Sequence, residues 1–322
     1  MITVYVYRDG QTQKADRVEP QWLDPASRVT LWVDLVQPTP QEGEDLLANT
    51  FHFHPLSIED SLTESHHPKV EAYDRYLYVI LHGIDFHAGE HQFATRDIDF
   101  FVGDNYLVTV QDGHSRSIQK IKDLCIHHAH ILEEGPVALM HRIVDSMIDN
   151  YAPEMGKLET QMDELEESAI LGVGENLMRP ILGVKRDLAE LRRVVIPQRD
   201  VVGRLARREF PQISNEMAYR FRDVYDHLVR YADEATMFQD RVTGILEGYL
   251  SAISNRLNQV MKVLTVMSTI FLPLTVLTGM WGMNVPLPTF PGSAQLQFWW
   301  LVGIMLAISA AMLLLFRRKN WI

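Results

Sequence analysis

Cysteine is almost missing from this chain. A single residue, Cys125, stands among 322, which excludes an intramolecular disulfide and a thiolate-rich zinc site. The 13 histidines include no His-Glu-x-x-His pair. His52 and His54, His66 and His67, and His127, His128 and His130 lack the spacing of a closed zinc site and read as surface or satisfied side chains. There is no nucleophile elbow and no phosphate-binding glycine loop. The chain is therefore not read as an enzyme, no bound nucleotide is expected, and an ATP-driven pump is disfavoured. The net charge of -12 argues against nucleic acid and suits a domain that attracts cations. Met1 to Arg8 alternates like a strand and lacks the apolar core of a signal peptide, so residues 1 to about 260 are expected not to be exported.

The longest absence is of charge. From Val263 through Phe316 there is no Asp, Glu, Lys, Arg or His. Hydrophobic residues make up 47% of the chain, yet mean hydropathy is only -0.08, so the apolar content is uneven. The uncharged run is too long for one membrane span and suits two. The first, 263–281, is about 19 residues and covers about 30 Å, the thickness of a hydrocarbon core. The second is 298–316. Between them, 282–297 holds Pro286, Pro288, Pro291 and Gly292 and reads as an external loop. Lys262 precedes the first span, and Arg317, Arg318 and Lys319 open a basic tail, 317–322. These four residues are expected to form a basic ring near the membrane in an assembly of several copies. The positive-inside bias places both termini in the cytoplasm of a multi-pass protein of the cell (inner) membrane.

The rest divides into an α/β part (1–114), a helical pair (115–210) and a stalk helix (211–260), together a cytosolic domain of residues 1–260 before a transmembrane domain of 261–322. Strands are expected at 2–7, 29–35, 76–84, 98–102 and 106–110, the last two joined by the turn Gly103-Asp104-Asn105. Helices are expected at 41–53 and 57–62. Residues 136–165 repeat apolar side chains at helical spacing and set Glu159, Asp163, Glu164, Glu166 and Glu167 on one face. That face reads either as a solvated surface or as an acidic collar that concentrates cations. Gly172-Val-Gly174 breaks the pattern. Residues 181–195, with Lys185, Arg186, Arg192 and Arg193, predict an antiparallel partner helix of complementary charge. Pro211 ends that section, and Ser214 or Asn215 can cap the next helix. From there no proline occurs until Pro273. One helix of about 65 residues, roughly 100 Å long, is the simplest account. Pro273 should only kink it.

Along this helix Asn258, Met261, Thr265, Ser268, Leu272, Thr275 and Gly279 follow steps of three and four. Such a seam faces the axis of a parallel bundle, although ordinary packing of small residues in a membrane dimer reads the same way. Three segments lie on it: Arg256-Leu-Asn-Gln-Val-Met-Lys-Val-Leu-Thr265, Ile270-Phe-Leu-Pro-Leu-Thr275 and Gly279-Met-Trp-Gly-Met-Asn284. They resemble the inner helix of the CorA family of divalent-cation channels, whose signature is the triplet Gly282-Met283-Asn284. Upstream, His54-Pro-Leu-Ser-Ile-Glu-Asp60 and Pro68-Lys-Val-Glu71 resemble its cytosolic domain.

The resemblance implies an α+β (α/β) cytosolic domain, long helices and two C-terminal transmembrane helices, assembled in the bilayer as a funnel-shaped homopentamer. It puts Asn258, Met261, Leu264, Leu272, Thr275, Gly279 and Asn284 on the pore. It also implies divalent-ion regulatory sites between subunits, matching Glu59, Asp60, Asp145 and Asp223; the plainer reading of these four is isolated exposed acids. Mg²⁺ prefers oxygen ligands and loses water reluctantly. A ring of neutral Asn284 amides can therefore accept hydrogen bonds from its water shell without trapping it, as backbone carbonyls at Gly282 can. The plainer reading of Asn284 is a helix C-cap. Many family members carry an acidic residue beyond the triplet, whereas Val285 to Gly292 has none. The intact triplet favours Mg²⁺, with Co²⁺ or Ni²⁺, while the neutral loop leaves open Zn²⁺ transport as in the ZntB branch. A non-conducting cation sensor is the remaining alternative.

Overall fold

The computed structural model describes residues 1–63, 67–87, 92–128, 130–171, 177–283, 291, 293–319 and 321. They form two compact units, Met1–Leu246 and Glu247–Ile322.

Among the described residues of the first unit seven strands make one sheet: β1 (Ile2–Arg8), β2 (Gln11–Ala15), β3 (Thr30–Val36), β4 (Lys69–Ala72), β5 (Leu77–His87), β6 (Gln92–Val102) and β7 (Tyr106–Gln111). Their order is β2-β1-β3-β7-β6-β5-β4. Among the described residues only β3 and β7 pair in parallel, from Leu31 opposite Tyr106 to Val36 opposite Gln111. Period-two alternation divides β3 between two faces. Leu31, Val33 and Leu35 join Leu47, Phe51, Phe53 and Ile58 in one core. Asp34 points to the other face, where Lys122 Nζ meets it at 2.5 Å. Thr109 Oγ1 donates to Asp34 at 2.6 Å, and Gln111 Nε2 at 2.9 and 2.8 Å. This buried carboxylate is thus paired and hydrogen-bonded, as burial of a charge requires.

The helices lie on both faces. α1 (Pro40–Glu44) starts from a capping box between Thr39 and Glu42 and passes into a π-helical turn, Asp45–Thr50. α2 (Pro55–Leu62) is capped by the His54 side chain, which accepts from Leu56 N–H. α3 (Arg116–His127), α4 (His130–Glu133), α5 (Pro136–Asp149), α6 (Tyr151–Leu171) and α7 (Met178–Ala206) follow. Of these, α3, α4, α5 and α7 touch the sheet directly. α6 and α7 run antiparallel: Gln198 Nε2 donates to Tyr151 Oη at 3.2 Å at one end, and Gln161 to Ser168 face Pro180 to Asp187 further along. Tyr151 Oη donates to the His82 carbonyl at 2.8 Å, so the pair is stitched to β5.

Five expectations need correction. The helix expected over 41–53 is the short α1 and the π-helical turn. The single helix of 136–165 is two, parted at Asn150, whose backbone is still near-helical. The 181–195 helix extends to Met178–Ala206, with Pro197 inside it. β2 and β4 were not foreseen, and β6 begins at Gln92, six residues before the expected Ile98. The charge partner of the acidic face of α6 comes from the helix after α7: Arg241 Nη2 lies 2.6 Å from both Asp163 and Glu166, which stay open to solvent. Gly172 to Gly174 and His66 lie outside the described residues.

That next helix, α8 (Asn215–Trp281), is continuous over 67 residues with Pro273 inside it, and contributes to both units. In the second unit its C-terminal part is joined by α9 (Ala294–Arg318). Both helices are long and apolar enough to cross a membrane.

Candidate ion path and acidic site

The seam on α8 is open at every position. Asn258, Met261, Leu264, Thr265, Ser268, Leu272, Thr275 and Gly279 are all exposed, as is Lys262. Leu272 is 68% exposed and Leu264 58%, values that a lone water-soluble helix would not sustain along such a length. Four threonine hydroxyls in this part of the helix are spoken for. Thr265 Oγ1 donates to the Met261 carbonyl and Thr269 Oγ1 to the Thr265 carbonyl, each at 2.7 Å. Thr275 Oγ1 donates to the Phe271 carbonyl at 2.7 Å, and Thr278 Oγ1 to the Thr275 carbonyl at 3.1 Å. Such back-bonding satisfies a hydroxyl where no water is available.

The helix stops at the signature triplet. Gly282 N–H donates to the Thr278 carbonyl at 3.0 Å, and Met283 N–H to the Met280 carbonyl at 3.3 Å. A Cβ on Gly282 would lie 3.2 Å from the Thr278 oxygen, so a side chain there would crowd the last helical carbonyls. Gly282 and Met283 are exposed. Asn284 and the residues to Phe290 lie outside the described residues. At the far end of α9, Arg317 and Arg318 occupy the last turn and Lys319 the C-cap, where positive charge complements the helix dipole.

The four acids of the proposed regulatory set fall in two places in the first unit. Glu59 is exposed on α2, and its neighbour Asp60 is partly buried. Asp60 Oδ2 meets Lys69 Nζ at 2.5 Å, and the same ammonium lies 3.2 Å from Glu71 Oε1. Asp145 on α5 and Asp223 on α8 lie close enough to act on each other electrostatically. Burial pushes the Asp145 carboxyl above its ordinary value; Asp149 and Asp223 add to this, while His141 and His227 oppose it. Beside them Glu134 bridges Arg142 at 2.5 Å and Arg220 at 2.9 Å, tying α5 to α8. Among the described residues no three His, Cys, Asp or Glu side chains of one chain converge as a metal-holding group.

Sequence reasoning missed Lys69 and the Glu134 bridge. The Lys69 signal was present, since Lys69 and Glu71 are two apart and so share one face of a strand. What could not be read was that β4 would bring that face to α2.

A model of the CorA-like Mg²⁺ transporter protein family matches residues 27–318. The Bacillus subtilis protein YfjQ is 32% identical over 294 residues, covering 90% of this chain and 89% of that one. The cobalt/magnesium transport protein CorA of Thermotoga maritima is 29% identical over 321 residues, covering 98% of this chain and 89% of that one. The complete structure of the CorA magnesium transporter from Methanocaldococcus jannaschii superposes with a TM-score of 0.85, over 100% of this chain and 99% of that one, at 24% identity. The fold is therefore that of the full CorA chain. With most of its length matched, this chain belongs to the CorA-like Mg²⁺ transporter family.

Proposed function

We propose that this protein is a homopentameric channel for divalent cations, carrying Mg²⁺ and with it Co²⁺ or Ni²⁺ into the cell. One observation supports this most: α8 presents an exposed seam free of charge from Thr265 to Gly279, ending at Gly282 and Met283. Five such seams would enclose a path of hydroxyls, small residues and apolar rings, with Asn284 next in the chain. An inward-negative potential then drives entry, about 4.6 kcal/mol for a double charge at 100 mV. Asn284 accepts hydrogen bonds from the hydrated ion at the mouth. Glu59, Asp60, Asp145 and Asp223 hold regulatory ions between neighbouring subunits and favour the closed form when cytosolic Mg²⁺ is high. Each site adds roughly 2.7 kcal/mol at a hundredfold excess of ion over its dissociation constant, given binding to that form alone.

The test is flux in proteoliposomes. Asn284→Ala is expected to abolish Mg²⁺ transport or its selectivity while the pentamer still forms. Wild-type flux and selectivity in the variant would remove Asn284 from the filter. The uncharged stretch from Val285 to Gly292 favours one second reading, Zn²⁺ transport. Zn²⁺ flux measured in parallel with Mg²⁺ on the wild-type protein separates the two.

A further inference from the structure

The proposed regulatory carboxylate Asp60 already has a cation of its own. Lys69 opens β4 nine residues after Asp60, and its Nζ sits 2.5 Å from Asp60 Oδ2. The pair is largely sheltered, with side-chain exposures of 29% and 23%. Two further contacts hold the ammonium, and a third holds one of its partners. Glu71 Oε1 accepts from it at 3.2 Å. Tyr73 Oη donates to the other Glu71 oxygen at 3.0 Å and holds that carboxylate in place. The Tyr78 ring centroid lies 5.5 Å from Nζ, within cation–π range.

We propose that Lys69 is a tethered competitor for the regulatory divalent cation, so that an ion binds Asp60 by displacing the lysine ammonium onto Glu71. This rests on the reading of Asp60 as a regulatory ligand. A Mg²⁺ ion in direct contact with a carboxylate oxygen stands about 2.0–2.1 Å from it. Nζ holds Oδ2 at hydrogen-bond distance, so ion and ammonium together would place three positive charges around one oxygen. The lysine has somewhere to go. Its stem is flexible, and Glu71 is already within reach on the same face of β4. Without the ion, Lys69 bridges Asp60 and Glu71. With it, Lys69 rests on Glu71 alone.

Competition of this kind lowers the apparent affinity by the fraction of time that Asp60 is occupied by lysine. It sets the site to answer to abundant cations and to ignore traces. Lys69 is thus a residue that sets the working range of the site without itself being a ligand.

The experiment is limited proteolysis of the full-length protein across a Mg²⁺ titration, reading the midpoint of protection. Lys69→Met is expected to move the midpoint to a concentration about fivefold lower, the scale of a partly exposed ion pair. Lys69→Arg, which keeps the charge, should stay near wild type. Arg75→Met removes one positive charge from the turn after β4 and should shift the midpoint less than Lys69→Met does. A higher midpoint in folded Lys69→Met, or an equal shift in Arg75→Met, overturns the proposal. Should Lys69→Met not fold, amine-reactive labelling of the wild-type protein decides: Lys69 reactivity must rise with Mg²⁺, and a constant or falling value overturns it. Asp60→Asn addresses the underlying reading separately. Unchanged Mg²⁺ dependence there removes Asp60 from regulation, whatever Lys69 does.

Discussion

Asp99 is 5% exposed, and its Oδ1 accepts a hydrogen bond from Tyr78 Oη at 2.5 Å. Burial pushes its carboxyl well above the ordinary value of 3.8; the Tyr78 hydrogen bond opposes this, and Asp97 and Asp60 reinforce it. A raised acid binds its proton more tightly in the folded chain than in the unfolded one. Its contribution to stability is therefore fullest below the ordinary carboxylate range and is lost as pH rises through the folded value. Asp99→Asn keeps an acceptor for Tyr78 and has no charge to desolvate. It is expected to raise the melting temperature at pH 8 by about 2–4 °C, the shift that ~1 kcal/mol gives in a domain of this size. The gain should vanish near pH 4, and equal gains at both values would refute the account. At this scale the sequence was uneven as a guide. The Gly282-Met283-Asn284 triplet could be found because three adjacent residues carry it. The Asp60–Lys69 pair could not, because it depends on the register of β4 against β5, where Lys69 lies opposite Ile80.

Arg241 shows how the helices are held. Its guanidinium reaches Asp163 and Glu166 on α6 from α8, with side-chain exposures of 34%, 61% and 44%. Because these groups are open to solvent, the network is worth about 1 kcal/mol at most. Arg241→Ala is expected to speed hydrogen exchange in the second half of α6 while leaving β3 and β7 protected. Equal exchange in α6 would show the contact to be idle. The elements legible beforehand were those with a strong apolar period. β3 reads Thr30-Leu-Trp-Val-Asp-Leu-Val36 and is almost wholly buried, so its strand character is plain in composition. β2, by contrast, is Gln11-Thr-Gln-Lys-Ala15, an exposed edge strand with no apolar face. It exists because β1 offers it a ladder, from Val4 opposite Ala15 to Arg8 opposite Gln11. The start of β6 is likewise extended by its long pairing with β5, which residue composition does not report.

For the molecule as a whole, the charge-free stretch and its basic flanks predict a testable topology. Protease added outside intact cells should cut neither terminus, and cleavage anywhere within residues 1 to 250 would refute it. The fold class was open to sequence reasoning because the uncharged run and the helical periods lie in separate parts of the chain. Assembly is not written in one chain in the same way, since it depends on surfaces that meet only in a second copy. The threonines of α8 carry a consequence for that assembly. Each hydroxyl has one proton, and Thr265, Thr269, Thr275 and Thr278 have given theirs to carbonyls of their own helix. What remains for a passing solute is lone pairs alone. In the proposed channel a hydrated cation, its water protons turned outward, would find acceptors at Thr265 and Thr275 on the seam. A hydrated anion would turn its oxygens outward and find no proton on these threonines. In the channel proposed above, these threonines would favour one sign of charge by the direction of their hydrogen bonds, without any charged residue.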